Sequence, residues 1–435
     1  MLKNVRYESH MPSNGTGDNF SNELKITFPT SSLDILDMSS GYVATTIQLT
    51  FYQADATPVW VETALPVGWS ISNSAASALY SRSEYNVMQK PVGYADDYAH
   101  AVYYKDLITQ SAQKLVNNNS SNPINLLKRF NSTGSTLVDV AANNKDSLGI
   151  TSKAKNIFTL CSGLPVFRGK HEIPGNLEHS ISLHVATGYE NGILFHSSGA
   201  LPAQFKGVTT GTAPKPTGQV AGDTFINVNV LEVKYNVMLY EGLTLPSNTY
   251  KFRFNNYKTV IRPISNVKEQ INIDVPPNAT DICAFFAPVD GYSNVVSAPN
   301  MFVANLDTTA NALLESYKLK FDGNTYPHAN MRLDLLAASN NRLDNSRAFE
   351  EFIGMSRDLS PNGSSFDFAS FTSNFMIYQK LDKISNNRAT KIEIQLDFRA
   401  QPVNSRLVVI YDTDEELTIE YDTGVPKNVY LSKII

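Results

Sequence analysis

The feature that most constrains this chain is a hydrophobic period of two. In ATKIEIQLDF, Thr390, Ile392, Ile394, Leu396 and Phe398 alternate with Lys391, Glu393, Gln395 and Asp397, the pattern of a strand with one buried and one wet face. SYKLKF puts Tyr317, Leu319 and Phe321 on one side, and INIDVPP ends in two prolines that stop the strand Ile271 to Val275. SRLVVIYDTDEELTIEY reads as a hairpin, with Leu407, Val409 and Tyr411 facing one way, an acidic turn from Asp412 to Glu415, and Leu417, Ile419 and Tyr421 resuming. In FINVNVLEVKYNVMLY, Ile226, Val228 and Val230 share one parity and Val233, Tyr235, Val237 and Leu239 the other. That phase switch near Leu231 predicts a β-bulge or a change of covering sheet.

Helical signals are few. SRAFEEFIGMSRDL offers Ser346 as an N-cap, with Phe349, Phe352, Ile353 and Met355 at helical spacing. The other helix expected is AHAVYYKDLITQSAQKL, Ala99 to Leu115. Long polar segments, VNNNSSNP (Val116 to Pro123) and KGVTTGTAPKPTGQVAGD (Lys206 to Asp223), read as surface loops. No short repeat suggests a propeller or solenoid, so an all-β chain of two sandwiches remains.

A chain of 435 residues exceeds one ordinary core and implies about two domains. The break falls at EGLTLPSN, Glu241 to Asn248, after which a fresh strand series begins. With 42% hydrophobic residues, including 22 Phe and 21 Tyr, there is apolar material for two cores. The 36 basic and 41 acidic residues give a net charge of −5, so primary nucleic-acid binding has no electrostatic support. Cys161 and Cys283 are too few for a disulfide framework and fit a reducing compartment. The first twenty residues lack the apolar centre of a signal peptide, and no run of apolar residues has the length of a membrane span. A soluble protein outside the classical secretory route is the expectation, and sequons such as those at Asn131 and Asn278 are then loop composition.

The chain carries no P-loop, G-x-S-x-G, H-E-x-x-H or C-x-x-C, so the common catalytic signatures are absent. His171, His179, His184 and His196 cluster in sequence, yet an odd spacing between His179 and His184 puts them on opposite faces of a strand, where metal ligands cannot converge. Asp34 and Asp37, in LDILDMSSGYVATTIQLTFY, have the proximity of an acid–base pair, but no neighbouring His or glycine-rich oxyanion segment. The turn reading is stronger: Asp37 or Ser39 and Ser40 close a turn with Gly41 and deliver Tyr42 into a strand. Trp60 and Trp69 bracket VETALPVG and offer an aromatic platform for a sugar, against the plainer reading of core or interface aromatics.

The ordered series of elements resembles the major capsid proteins of the double jelly-roll lineage, in particular those of virophages and Polinton-type or adintovirus-like elements, and more distantly the adenovirus hexon. The carrying stretches are ILDMSSGYVATTIQLTFY, similar to that group's turn into a first strand, and SALYSRSEYNVMQKPVGYADDYAHAVYYKDLI. FRGKHEIPGNLEHSISLHV, with Pro174 and Gly175 at its turn, NVNVLEVKYNVML, SYKLKFDGNTYP with Asp322 and Gly323, and SRAFEEFIGM complete the series. The resemblance spans about residues 20 to 425 and implies two tandem eight-stranded jelly-roll β-sandwiches with a few short helices in loops.

What the resemblance implies for function is a homotrimeric, pseudo-hexameric capsomer in an icosahedral shell around a double-stranded DNA genome. The protein would then be no enzyme and would have no cofactor or metal. Its partners would be its own copies, neighbouring capsomers, and minor capsid or penton proteins, with no sequence-specific nucleic acid. It would be located in the virion after assembly in the host cell. The domains expected are an arm at 1–19, a first jelly roll at 20–242, a second at 243–428 and a tail at 429–435. The polar arm is expected to order only against a neighbour or beneath the shell. The apolar tail residues Val429, Leu431, Ile434 and Ile435 are interface candidates. The competing readings are a carbohydrate-binding or carbohydrate-cleaving β-sandwich, such as a lectin or tail-spike module, and a single-jelly-roll penton protein.

Overall fold

A computed structural model describes residues 4–15, 22–28, 34–63, 69–71, 75–102, 157–167, 172–196, 201–241, 248–289, 313–335, 342–356, 368, 371, 375–381, 390–422 and 425–433. The first half contributes β1 (Asn4–His10), β2 (Glu23–Thr27), β3 (Ile35–Ala54), β4 (Trp60–Thr63), β5 (Trp69–Ile71), β6 (Tyr80–Val87), β7 (Lys90–Ala95), β8 (Ile157–Gly163), β9 (Glu172–Pro174), β10 (His179–Val185), β11 (Leu194–His196), β12 (Phe205–Thr210) and β13 (Thr224–Glu241). The second contributes β14 (Thr249–Ile264), β15 (Lys268–Asp274), β16 (Ala279–Pro288), β17 (Leu314–Phe321), β18 (Asn324–Arg332), β19 (Met376–Lys380), β20 (Lys391–Phe398), β21 (Ser405–Asp422) and β22 (Val425–Lys433). Helices α1 (Ala75–Ala78) and α2 (Arg342–Ser356) lie in the connections. No helix among the described residues is long and apolar enough to cross a membrane.

The second half shows the topology without additions. One sheet runs β14-β21-β16-β19 and the other β15-β20-β17-β18. Counted from β14, these orders are 1-8-3-6 and 2-7-4-5, the arrangement of an eight-stranded jelly roll. The first half repeats it: β1-β13-β3 followed by β8 and β9, two pieces of one broken sixth strand, faces β7-β6-β10-β2. β4 and β12 extend the first of these sheets, β5 and β11 form a ribbon of their own, and β22 adds to β21.

The two sandwiches share a sheet. β7 pairs with β14 in parallel at Ala95 and Tyr257, which joins one sheet of each sandwich into a nine-stranded whole. β14 and β21, 16 and 18 residues long, therefore serve both cores. Phe252, Phe254, Leu417 and Ile419 pack in the first with Tyr85 and Leu183. Tyr257, Ile264, Leu407 and Val409 pack in the second with Phe285 and Ile394. A fully buried Phe contributes roughly 1.5–3 kcal/mol of transfer free energy, so Phe254, fully buried against Tyr85, Phe167 and Phe252, anchors the junction.

Several expectations meet the structure directly. Tyr317, Leu319 and Phe321 are buried on one side of β17, and Asp322 and Gly323 form its two-residue turn with φ of 47° and 86°, a geometry that favours Gly at the second position. The phase switch in β13 is a bulge: Val230 faces Ile47, Glu232 faces Thr46, and Leu231 is left between them. The acidic hairpin at Asp412 to Glu415 is not a turn; β21 runs straight through it. Those residues lie where β21 passes from one core to the other, and polar partners meet them there. Asn278 Nδ2 donates to the Asp414 carbonyl at 3.1 Å, and Asn255 Nδ2 to the Asp414 carboxylate at 3.2 Å.

Other expectations are corrected. The stretch from Ile35 is not a first strand, because β1 and β2 precede it. Residues 4–10 do not wait for a neighbour to order them: β1 pairs with β13 from Asn4 opposite Glu241 to His10 opposite Tyr235 and holds the first position of the first jelly roll. A polar sequence suffices there because β1 has a single partner strand, β13, among the described residues. Ser346 is not a cap, since α2 begins at Arg342. Asn345 is buried instead, its amide accepting from Asp334 N at 2.9 Å and donating to Asp334 O at 2.6 Å. The polar segment from Lys206 begins as β12, paired in parallel with β13. Residues 98–102 are helical, while 103–115 and the loop 116–123 lie outside the described residues.

Candidate assembly surfaces and the residues singled out by sequence

The aspartates ahead of the long strand are structural. Asp37 Oδ1 accepts the Ser39 N–H at 3.1 Å, its carbonyl accepts from Ser40 Oγ at 2.7 Å, and Ser40 Oγ in turn accepts Met238 N–H at 3.0 Å. These bonds close the register shift between β3 and β13 around Asn236 and Met238. Gly41 follows because the Tyr235 phenol lies against its backbone, where any Cβ would overlap the ring. Tyr235 is fully buried and donates to the Met38 carbonyl at 3.3 Å. Asp34 offers its carbonyl to Gly175 N at 2.7 Å, which fixes the turn after Pro174. The Asp37 carboxylate thus serves a bulge, and the Asp34 backbone carbonyl a turn.

The histidines diverge as their spacing requires. His179 is buried in the first core, whereas His184 is half-exposed with Nε2 3.9 Å from Glu84. His171 and the side chain of His196 lie outside the described residues. Among the described residues no group of three or more His, Cys, Asp or Glu is arranged to hold a metal. Trp60 spends its indole N–H on the Pro216 carbonyl at 2.9 Å and packs edge-on against Phe225, 4.6 Å between centroids. It pins the 211–223 loop, a role opposed to that of an open sugar platform, and the Trp69 side chain lies outside the described residues.

Both chain ends carry exposed apolar groups on edge strands. β1 presents Val5 and Tyr7 outward, Tyr7 being 68% exposed. β22 pairs with β21 with Leu431 opposite Leu417 and Val429 opposite Ile419. Val429 packs onto the first core, while Tyr430 and Leu431 stand about half in water. Ile434 and Ile435 lie outside the described residues. The sheet of β1, β13, β3 and β8 carries polar cross-strand contacts. Ser9 bonds Asn236, Thr46 bonds Thr159 at 3.2 Å, and Lys234 neutralises Glu232 at 2.9 Å.

Sequence reasoning missed the polar layer where the sandwiches join. Asn256, fully buried in β14, accepts the Tyr94 N–H at 2.8 Å. Asp281 and Asp412 face each other across β16 and β21, with Tyr378 donating to Asp281 at 3.2 Å. Asp97 Oδ2 lies 2.7 Å from His100 Nδ1; burial would raise its pKa, but His100 and then Arg406 hold it below the ordinary carboxylate range. The available signal was a charge inside an otherwise apolar strand, as in ATDICAFFAP and LVVIYDTDEE.

No family model matches the chain, and no curated protein sequence matches it. Solved structures do. A chain from the Sputnik virophage structure is 11% identical, with a TM-score of 0.61 over 99% of this chain and 88% of its own. The mavirus major capsid protein is 8% identical, with a TM-score of 0.53 over 98% and 90%. The Faustovirus major capsid protein is 9% identical, with a TM-score of 0.54 over 97% and 91%. At such identities the likeness is one of fold, and it extends over both sandwiches: this chain has a double jelly-roll fold in common with those viral structures.

Proposed function

We propose that the protein is a major capsid protein, a trimeric and pseudo-hexameric capsomer of an icosahedral shell around a double-stranded DNA genome. The observation that carries this reading is the repeated strand order, 1-8-3-6 against 2-7-4-5, in two sandwiches joined by a shared sheet. Three such chains present six similar sandwiches around one axis, which is a hexagonal tile. The likeness over 98% of the chain to the mavirus major capsid protein supports it. In this account the protein works by association and breaks no bond. Minor capsid or penton proteins, and a location in the virion, follow from the same reading.

The tail deepens it. β22 has one partner strand among the described residues, and an edge strand bearing exposed apolar side chains is a pairing hazard unless another chain covers it. Val429, Leu431, Ile434 and Ile435 are accordingly assigned to contacts between copies of this chain, with Val429 also anchoring β22 to its own core. Light scattering on the purified protein tests both levels. A particle near three times 48.0 kDa is expected, and a chain truncated after Tyr430 is expected to be a folded monomer. A monomeric full-length chain overturns the capsomer reading; a trimeric truncated one overturns the tail assignment alone.

A further inference from the structure

The first core contains a stack that neither turn chemistry nor assembly uses. Phe28 lies flat on His179, with centroids 4.4 Å apart and planes 5° apart, and His10 packs edge-on against Phe28 at 4.8 Å. Tyr235 and Tyr85 close the surroundings, at 5.6 Å from Phe28 and 5.7 Å from His179. His179 is 2% exposed, and neither of its ring nitrogens has a hydrogen-bond partner among the described residues. A neutral imidazole tolerates that as a flat aromatic; an imidazolium does not, because an unpaired buried charge is among the costliest groups in a protein.

We propose that the His10–Phe28–His179 stack is an acid-sensitive latch that fastens β1 to the first sandwich, so that acidification detaches β1. Geometry selects β1 as the element that moves. His10 is its last residue, and β13 is its one partner strand among the described residues. β2, the other strand near Phe28, has its outer edge tied by Ser13 N to Lys25 O at 2.8 Å and by Asn14, which bonds both Glu23 O and Lys25 N. β6, β10 and β13 are interior strands.

The charged and titratable groups around the stack are few. On β1, Glu8 lies 3.3 Å from His10 Nε2 and is itself held by Arg6 at 2.6 Å. Glu241 at the end of β13 takes the other side of Arg6 at 2.8 Å. Tyr85 on β6 and Tyr235 on β13 are phenols that burial pushes well above their ordinary range, so they stay neutral. Burial, and then the neighbouring His10, push His179 down to about 3. Burial lowers His10 as well, against the pull of Glu8.

The sign follows from linkage. A histidine with a depressed folded value contributes its full stabilisation above about pH 6.5, and loses it as pH falls from there towards 3. The opening equilibrium of β1 therefore rises between pH 7.5 and pH 5 by at most roughly 30-fold from His179 alone, the limit in which the opened state returns its imidazole to about 6.5.

Amide hydrogen exchange on the full chain, corrected for intrinsic rates, reads this at residues 4–10 and at β20 as an internal control. In the unaltered protein, protection of residues 4–10 is expected to drop several-fold, and by no more than about 30-fold, from pH 7.5 to pH 5 while β20 holds. His179→Phe is expected to abolish most of that drop, and His10→Gln, which leaves the core filled, to reduce it. Equal pH dependence in the unaltered protein and both variants overturns the latch, as does loss of protection at β20 together with β1. If His179→Phe does not fold, His10→Gln decides alone.

Discussion

The two sandwiches begin with the same strand by topology and hold it in opposite ways. β1 is seven residues long, lies at a sheet edge and exposes Val5 and Tyr7. β14 is sixteen residues long, has β21 on one side and β7 on the other, and buries Phe252, Phe254 and Tyr257 in two different cores. One fold position is thus a detachable edge in the first sandwich and the central beam of the molecule in the second. The difference comes from neighbours rather than from strand propensity: TYKFRF and NVRYESH both alternate, but β14 is paired with β21 along its whole length and touches β7 at Tyr257, whereas β1 has β13 alone among the described residues.

Breaking the beam should cost most. Phe254→Ala is expected to lower stability by about 3–5 kcal/mol and to bring both sandwiches down together in urea, because β14 threads both; independent transitions would mean that the shared sheet does not couple them. Gly41→Ala drives a methyl group into the Tyr235 phenol, an overpacking of about 1–3 kcal/mol, and its exchange signature should be confined to the first sandwich. Asn256→Ala leaves the Tyr94 N–H buried without its acceptor, for a loss of about 1–3 kcal/mol that should fall on the junction. Lys251→Ala removes a surface ion pair to Glu416 at 3.1 Å with the lysine 58% exposed, and should change the urea midpoint by less than about 0.5 kcal/mol equivalent.

Much of the fold was legible because period-two alternation reports a half-buried strand wherever one face is wet. It failed where that condition fails. The acidic run Asp412 to Glu415 reads as a turn, yet the strand is merely changing cores: Asn255 meets the Asp414 carboxylate, Asn278 the Asp414 carbonyl and Lys251 the Glu416 carboxylate. The polar sequence of β1 reads as an arm because a strand with one partner among the described residues needs little apolar content. The short-range chemistry of Asp-x-Ser-Ser-Gly is displayed in full by the sequence, but it makes a bulge inside β3 and not the expected turn ahead of a strand at Tyr42, because β13 pairs with residues on both sides of it. The His10–Phe28–His179 stack assembles three residues brought together across more than 160 positions, and nothing local in any of them announces the others.

The capsomer claim is tested most directly by imaging single particles of the purified protein in vitreous ice and averaging them by class. The account predicts a threefold particle with six lobes, two from each chain, set side by side with their strands parallel. Particles of two lobes with no threefold relation, persisting at high concentration, would contradict it.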